Sequence, residues 1–374
     1  MDKPLTGLKV LELARILAGP WAGQLLADLG AEVVKVERPG VGDDTRHWGP
    51  PFAADGAAAY FHACNRGKAS VAIDLDTPEG QSAVRALAAE ADVLIENFKV
   101  GGLARYGLDY ASLSEANGGL VYCSITGFGQ DGPYAPRAGY DFIIQAMGGA
   151  MSLTGEPDGE PQKSGIAYAD LFTGLYATVA ILAALRERDR TGRGAHIDMA
   201  LLDTQVAVLG NQALNWMVSG TVPHRMGNGH TNLVPYQAFR VADGEMIVAV
   251  GNDRQFARLC ELLDLPALAE DERFSTNPAR VVHRAALIPL LAERMAIRRK
   301  AEFSEALEAA GIPAGPINAL DAVFADPQVV HRGLRLGGEL PGLASPIVIE
   351  GKRQTAPPGG PPLGGSSARF SGGS

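Results

Sequence analysis

Cysteine is scarce in this chain of 374 residues: Cys64, Cys123 and Cys260 stand far apart, odd in number and in no CxxC spacing. That leaves no basis for a disulfide framework or a zinc site, and reduced thiols are the expected state. The seven histidines form no HxxxH pair, so no metal ligand set is indicated. Basic residues are outnumbered, 33 Lys and Arg against 42 Asp and Glu, and the formal net charge is −9. Such a balance argues against nucleic acid or an anionic membrane as a partner, and any phosphate site must be built from a few placed cations. No apolar h-region follows the N-terminal MDKPLTGLKVLEL. The longest apolar segment, Leu171 to Leu185, has fifteen residues and is too short to span a bilayer. A soluble, cytoplasmic protein is the expectation.

What is present is ordinary globular composition, 46% hydrophobic and 20% charged, with length enough for two domains. Leu8–Leu13 reads as a strand, Pro20–Leu29 as a helix opening at proline, and Glu32–Glu37 as a second strand, a β-α-β unit. Its connecting loop, Ala14 to Pro20, lacks the GxGxxG that lets a pyrophosphate approach the backbone, so Glu37 only mimics a ribose-binding acid. Further strands are expected at Ser70–Leu75, Val93–Glu96 and Leu120–Ile125. Between them stand a helix over Thr77–Ala91, with Thr77 as cap and Pro78 in its first turn, and a short helix over Tyr110–Ala116. Alternation of this kind predicts a mainly parallel α/β sheet with ligands at the strand ends.

Within the segment Gly165–Leu185, Leu171 to Leu185 reads as a core helix, with Leu171, Leu175, Val179, Leu182 and Leu185 at three- and four-residue steps. One carboxylate, Asp170, heads it. Asp170 is either a helix N-cap or a carboxylate nucleophile, already ionised at neutral pH and able to attack a thioester without a general base. The helix dipole would favour that anion. Gly192 and Gly194 stop the helix, a strand-like run leads to Leu202, and residues 203–225 read as a linker helix. The Gly- and Asn-rich stretch from Met226 opens a small α+β domain over 226–316. It has a hairpin at Asp243-Gly244 and helices near 254–263, 281–294 and 300–310. PAGP at 313–316 leads the chain away to residues 317–362, and 363–374, rich in Pro, Gly and Ser, reads as disordered tail.

Seven stretches together resemble the class III CoA-transferase family, which includes formyl-CoA transferase and carnitine CoA-transferase. They are LTGLKVLELARILAGPWAGQLLADLGAEVVKVERPGVGDDTR (5–46), IENF (95–98), SITGFGQDGP (124–133), GYDFIIQAMGG (139–149), Asp170 in its setting, TGRG (191–194) and VGNDRQFARLC (250–260). Their order over nearly the whole chain is the specific part of the signal. The resemblance implies an interlocked homodimer. Each chain would have a Rossmann-like large domain, made from residues 1–202 and 317–362, with the small domain inserted between.

By position, the resemblance makes Asp170 the nucleophile, passing through an acyl-aspartyl anhydride and an aspartyl-CoA thioester. No tightly bound cofactor is implied, and coenzyme A enters as substrate in an acyl-CoA. Arg38 and Arg105 match CoA contacts; Leu17, Ala18, Ile73, Asp74, Asn97 and Phe98 match its pantetheine and adenine side; Arg137 lies near a further family cation. Backbone N–H groups near Asp170 and in the Gly251 loop are oxyanion donors on this reading. Arg66 and Lys68 are candidate phosphate ligands on charge alone. The same fold houses 2-methylacyl-CoA racemases, which pair the Asp with a His in AGHD. Here the motif is Ala138-Gly139-Tyr140-Asp141, and a phenol is a poor base at neutral pH, so transfer is favoured over racemisation. A CoA-binding protein without turnover is the non-enzymatic alternative. The run NLVPYQAF at 232–239 resembles members that take succinyl-CoA as donor, with His230, Asn232 and Arg225 open to a distal carboxylate.

Overall fold

A computed structural model describes residues 3–370. Six strands form one sheet: β1 (Lys9–Glu12), β2 (Glu32–Glu37), β3 (Lys68–Ala72), β4 (Val93–Glu96), β5 (Val121–Thr126) and β6 (Ala195–Ala200). Their order is β3-β2-β1-β4-β5-β6 and every neighbouring pair is parallel, the Rossmann-like arrangement. Parallel strands need crossovers, here α1 (Ala18–Asp28), α2 (Ala59–Ala63), α3 (Pro78–Glu90), α4 (Tyr110–Ala116), α5 (Asp141–Met147) and α6 (Tyr168–Thr191).

The period-two alternation of the strands splits the core into two layers. Val10, Val93, Ile95, Val121 and Cys123 face one side, with Ala22 and Leu26 of α1 and Ala177 and Ile181 of α6. Leu11, Leu94, Leu120 and Tyr122 face the other, with Val84 and Leu87 of α3. Gly174 decides how closely α6 lies on α1, because a Cβ there would stand 2.5 Å from the Ala18 carbonyl oxygen. Thr77 caps α3 through the Gly80 N–H at 3.1 Å, with Pro78 in the first turn.

The chain divides into two compact units. The first takes the chain up to Ala150, Lys163–Thr221 and the described residues from Asp326; the second takes Met151–Gln162 and Val222–Ala325. In the second, β7 (Tyr236–Val241) and β8 (Gly244–Ala249) form an antiparallel hairpin turning at Asp243-Gly244. Helices Asp253–Leu262, Arg284–Met295 and Lys300–Ala309 cover it around Phe239, Val248, Phe256, Leu287 and Leu307. Rather than leading away, PAGP supplies β9 (Ala314–Pro316), antiparallel to β8.

Three further expectations change. The helix headed by Asp170 has 24 residues, since its polar end to Thr191 stays helical, and by length and composition it could cross a membrane. Only one flank of it is buried: Leu175 and Val179, read as core, are 45% and 58% exposed. The linker helix is two helices, α7 (Leu201–Ala207) and α8 (Asn211–Ser219), parted at Gly210 with φ 54°. Finally, the C-terminal stretch packs as far as it is described. Gly364 N–H donates to Ser70 Oγ at 3.1 Å, Ser366 N–H to Ser70 O at 3.0 Å, and the Phe370 ring is 1% exposed against Leu11 and Leu94. Two hydrogen bonds to Ser70 and one buried ring anchor it. Residues 371–374 lie outside the described residues.

Candidate active site

Loops at the C-terminal ends of β1, β4 and β5, together with Leu201 just after β6, surround a cavity of 560 Å³, at the edge of the sheet where ligands of such folds bind. Leu17, Ala18, Asn97, Phe98, Arg105, Arg137, Tyr140 and Asp170 all line it. A second cavity of 230 Å³ shares Arg15, Phe98 and Arg105 with the first and adds Arg38, Ile73 and Asp74. Asp170 and the ten residues matched to CoA contacts therefore all line one of two adjoining hollows. In an acidic chain, Arg15, Arg38, Lys99, Arg105 and Arg137 gather there.

The β1–α1 loop, in place of a glycine-rich turn, is held by side chains. Asn97 Oδ1 accepts from the Arg15 N–H at 2.8 Å and its Nδ2 donates to the Arg15 carbonyl at 2.7 Å. Asn97 is thus spent on the loop, which it clamps at both backbone groups. Ile16 sits at φ 73°, strained for a β-branched residue, and its N–H reaches both oxygens of Asp43 at 3.3 Å. Asp44 holds Arg15 at 3.0 Å through one oxygen and Arg38 at 3.1 Å through the other, setting the two guanidinium groups side by side. The first turn of α1 beyond Leu17 has no side-chain cap and no acidic residue, which leaves it open to an anion.

Beneath this loop lies a buried ion network. Lys35 Nζ meets Glu12 and Asp43, each at 3.0 Å, and Lys68 Nζ meets Glu12 at 2.8 Å. Glu37, the mimic of a ribose-binding acid, pairs with Arg46 at 2.7 Å. Burial alone would raise Glu37, but hydrogen bonds from Arg46 and Ser70 and the charge of Lys35 outweigh it and hold the carboxyl below its usual range. Lys68 is thus part of the scaffold, and Arg66 is paired with Asp28; neither lines a cavity as a phosphate ligand.

Asp170 is the third residue of α6, inside the first turn and not at the cap. The cap comes from another element. Asp141 at the head of α5 accepts from the Ala169 N–H at 2.9 Å and the Asp170 N–H at 3.4 Å. What brings it there is a backbone crossing: a Cβ on Gly127 would stand 2.5 Å from Gly139 Cα, so the SITGFG and AGYD loops pass only as glycine on glycine. The helix terminus consequently favours Asp141, while the Asp170 carboxylate takes no hydrogen bond from any described residue. Burial first, then the charge of Asp141, pushes Asp170 up to about 7. It is not fully ionised at neutral pH, contrary to what the sequence suggests. Nor are the expected oxyanion donors free: the Ala169 and Asp170 N–H groups serve Asp141, and the Gly251 N–H donates to Gln255 at 2.8 Å.

Sequence reasoning passed over Arg15, Asp44, Lys99 and Asp141. Arg15 occupies the loop where a dinucleotide fingerprint would lie, and Asp141 closes the AGYD motif in which only the tyrosine drew notice. Tyr140 itself is 57% exposed and lines the cavity. Arg225 is turned onto the Glu156 and Gly159 carbonyls within the second unit, at 3.2 and 2.7 Å.

The model of CoA-transferase family III matches residues 5–366. The chain belongs to CoA-transferase family III. This transferase is 56% identical over 357 residues to the succinate–glutarate CoA-transferase of Agrobacterium fabrum, a match covering 92% of this chain and 89% of that one. It is 46% identical over 339 residues to human succinyl-CoA:glutarate CoA-transferase, covering 91% and 77%. Among solved structures, a CaiB/BaiF family protein from Brucella suis superposes with TM-score 0.87 at 58% identity over 97% of each chain. The enzyme is a CoA-transferase, moving CoA from an acyl-CoA donor to a carboxylic acid. With relatives named as transferases and Tyr140 in place of an imidazole, the racemase and silent-binder alternatives fall away.

Proposed function

We propose that this transferase takes CoA from succinyl-CoA to glutarate, with Asp170 as the nucleophile. The names of the Agrobacterium fabrum and human relatives support the substrate pair. The observation that carries the nucleophile is a carboxylate without hydrogen-bond partners among the described residues, in a cavity lined by four cations, Arg15, Lys99, Arg105 and Arg137.

An ionised Asp170 oxygen attacks the thioester carbonyl, the C–S bond breaks, and CoA leaves as thiolate with a succinyl-aspartyl anhydride behind it. The thiolate attacks the aspartyl carbonyl and expels succinate, giving aspartyl-CoA thioester. Glutarate then displaces the thiolate to form a second anhydride, and the thiolate attacks its glutaryl carbonyl, releasing glutaryl-CoA and Asp170. Arg38, Arg105 and Arg137, with Arg15 beside them, take the diphosphate and the 3′-phosphate as charge-assisted hydrogen bonds. Leu17, Ala18, Ile73 and Phe98 supply apolar wall, and Asn97 serves by fixing the Arg15 loop. Tyr140 presents its hydroxyl to the acyl carbonyl.

The open flank of α6 supports a homodimer. Phe172, Leu175, Tyr176 and Val179 stand exposed on one apolar face, more than a monomer leaves to water without use. A second copy of the chain covers it.

Incubation with succinyl-CoA alone, followed by hydroxylamine trapping and peptide mass spectrometry, is expected to mark Asp170. Glutaryl-CoA formation from glutarate should exceed CoA transfer to oxalate. An unmarked Asp170 in an active preparation refutes the nucleophile, and a preference for oxalate refutes the substrate pair.

A further inference from the structure

We propose that Asp141 is a positioning residue for the transfer: its carboxylate holds the head of α6 and, by standing charged beside Asp170, governs when that group ionises and how readily it is acylated. This rests on the reading of Asp170 as nucleophile.

The geometry isolates Asp141 as a built device. Ala167, at the N-cap position of α6, has no side chain able to cap it, and Asp141 does so from α5 through the Ala169 and Asp170 N–H groups at 2.9 and 3.4 Å. Its second oxygen accepts from Gln145 Nε2 at 2.6 Å, and the buried Gln145 is itself fixed by the Ser164 N–H on Oε1 at 2.9 Å. Both oxygens accept hydrogen bonds, the arrangement of a carboxylate. The Asp170 carboxylate, in the same first turn, accepts from none of these donors.

The groups facing Asp170 are few. Asp141 comes from α5 and Tyr60 from α2, whose phenol is raised by burial and then by the charge of Asp170 itself. Arg15, Lys99, Arg105, Arg137 and Tyr140 line the cavity, and none of the four cations forms an ion pair with Asp170 among the described residues.

Repulsion between the two carboxylates raises the energy of free, ionised Asp170, and acylation abolishes it because the anhydride and thioester are neutral at that carbonyl. The same charge that delays ionisation makes the carboxylate, once formed, more basic and a better nucleophile.

Asp141→Asn removes the charge and keeps an oxygen for the two N–H groups; Asp141→Ser is the second variant if that one fails to fold. Asp170 is titrated by carboxyl 13C NMR of aspartate-labelled protein, its resonance identified by loss in Asp170→Asn. The expected midpoint is about 7 in the parent and at least about one unit lower in the Asp141 variant. The acid limb of the acylation burst with succinyl-CoA should move down equally, and its plateau should fall several-fold. Adducts that form on Asp170 with an unshifted titration overturn this inference alone. A shifted titration without any adduct, in the parent at any pH, overturns the nucleophile reading and this inference with it.

Discussion

At the scale of single residues, Asp170, the proposed nucleophile, stands at the edge of its ionisation. Attack requires the carboxylate, so with the group raised to about 7 by burial and Asp141, the acylation rate should climb with pH through that value and level off above it. The stability consequence has the opposite slope. The unfolded carboxyl titrates near ~3.9, so between about pH 4 and 7 the folded state holds more protons and stability falls as pH rises. Asp170→Asn is therefore expected to lose turnover about a thousandfold and to be more stable than the parent above pH 7, on the order of 1 kcal/mol after allowance for partial exposure. Urea denaturation at pH 4 and pH 8 checks it: equal stability at both pH values would show that Asp170 carries no such strain. What was legible in the sequence is that one carboxylate, Asp170, heads a long apolar segment; its reading as the nucleophile came from the family resemblance. Its raised pKa was not legible, because Asp141 lies 29 positions away and meets it only through a crossing of two glycine loops.

Among elements, the loop between β1 and α1 and the packing of α6 on α1 decide whether the cavity keeps its shape. Asn97→Ala removes both backbone bonds to Arg15, each worth about 1 kcal/mol, and frees a loop that already carries a strained Ile16. The KM for succinyl-CoA should rise about tenfold, a change of ~1.4 kcal/mol, with kcat little altered; an unchanged KM would show that the clamp is idle. Gly174→Ala places a methyl 2.5 Å from the Ala18 carbonyl and pushes the two helices apart. A loss of about 1–3 kcal/mol is expected in thermal or urea melts, and none would mean the helices adjust freely. The strands, α3 with its Thr77 cap and the Gly192 stop were readable from local chemistry alone. The split of the linker helix at Gly210 was also signalled by a residue, yet the apolar stretch that precedes it and the helix-compatible Asn211-Gln212-Ala213-Leu214 after it hid the break. PAGP became β9 because pairing with β8, a tertiary fact, outweighs the turn preference of its prolines.

The whole molecule depends on charges kept out of water and on an apolar face left open to it. Lys35, wholly buried between Glu12 and Asp43, supports the strand ends from which the cavity loops spring. Lys35→Met would take the cation from Asp43 and leave Glu12 to Lys68 alone, with an expected cost of about 3–5 kcal/mol in urea unfolding; a cost below about 1 kcal/mol would mean that Asp43 finds another partner. Sequence alone suggested a core helix at Leu175 and Val179, and both are indeed apolar positions, but no described part of the chain buries them; the proposed second copy would. Light scattering should give twice the chain mass, and Val179→Glu should lower the assembled fraction; a monomeric parent contradicts the dimer. Phe370 closes the core from a stretch whose composition gave no hint of order, since one ring and two backbone hydrogen bonds to Ser70 hold it. The central claim, covalent passage through Asp170, has its most direct test in a single turnover with succinyl-CoA and glutarate labelled with heavy oxygen in its carboxylates. Each acceptor carboxylate leaves one of its oxygens bridging the second anhydride, and that oxygen stays with the aspartate when the thiolate attacks the glutaryl carbonyl. The peptide containing Asp170 should therefore gain one heavy oxygen as glutaryl-CoA forms; glutaryl-CoA without label in that peptide would contradict the account.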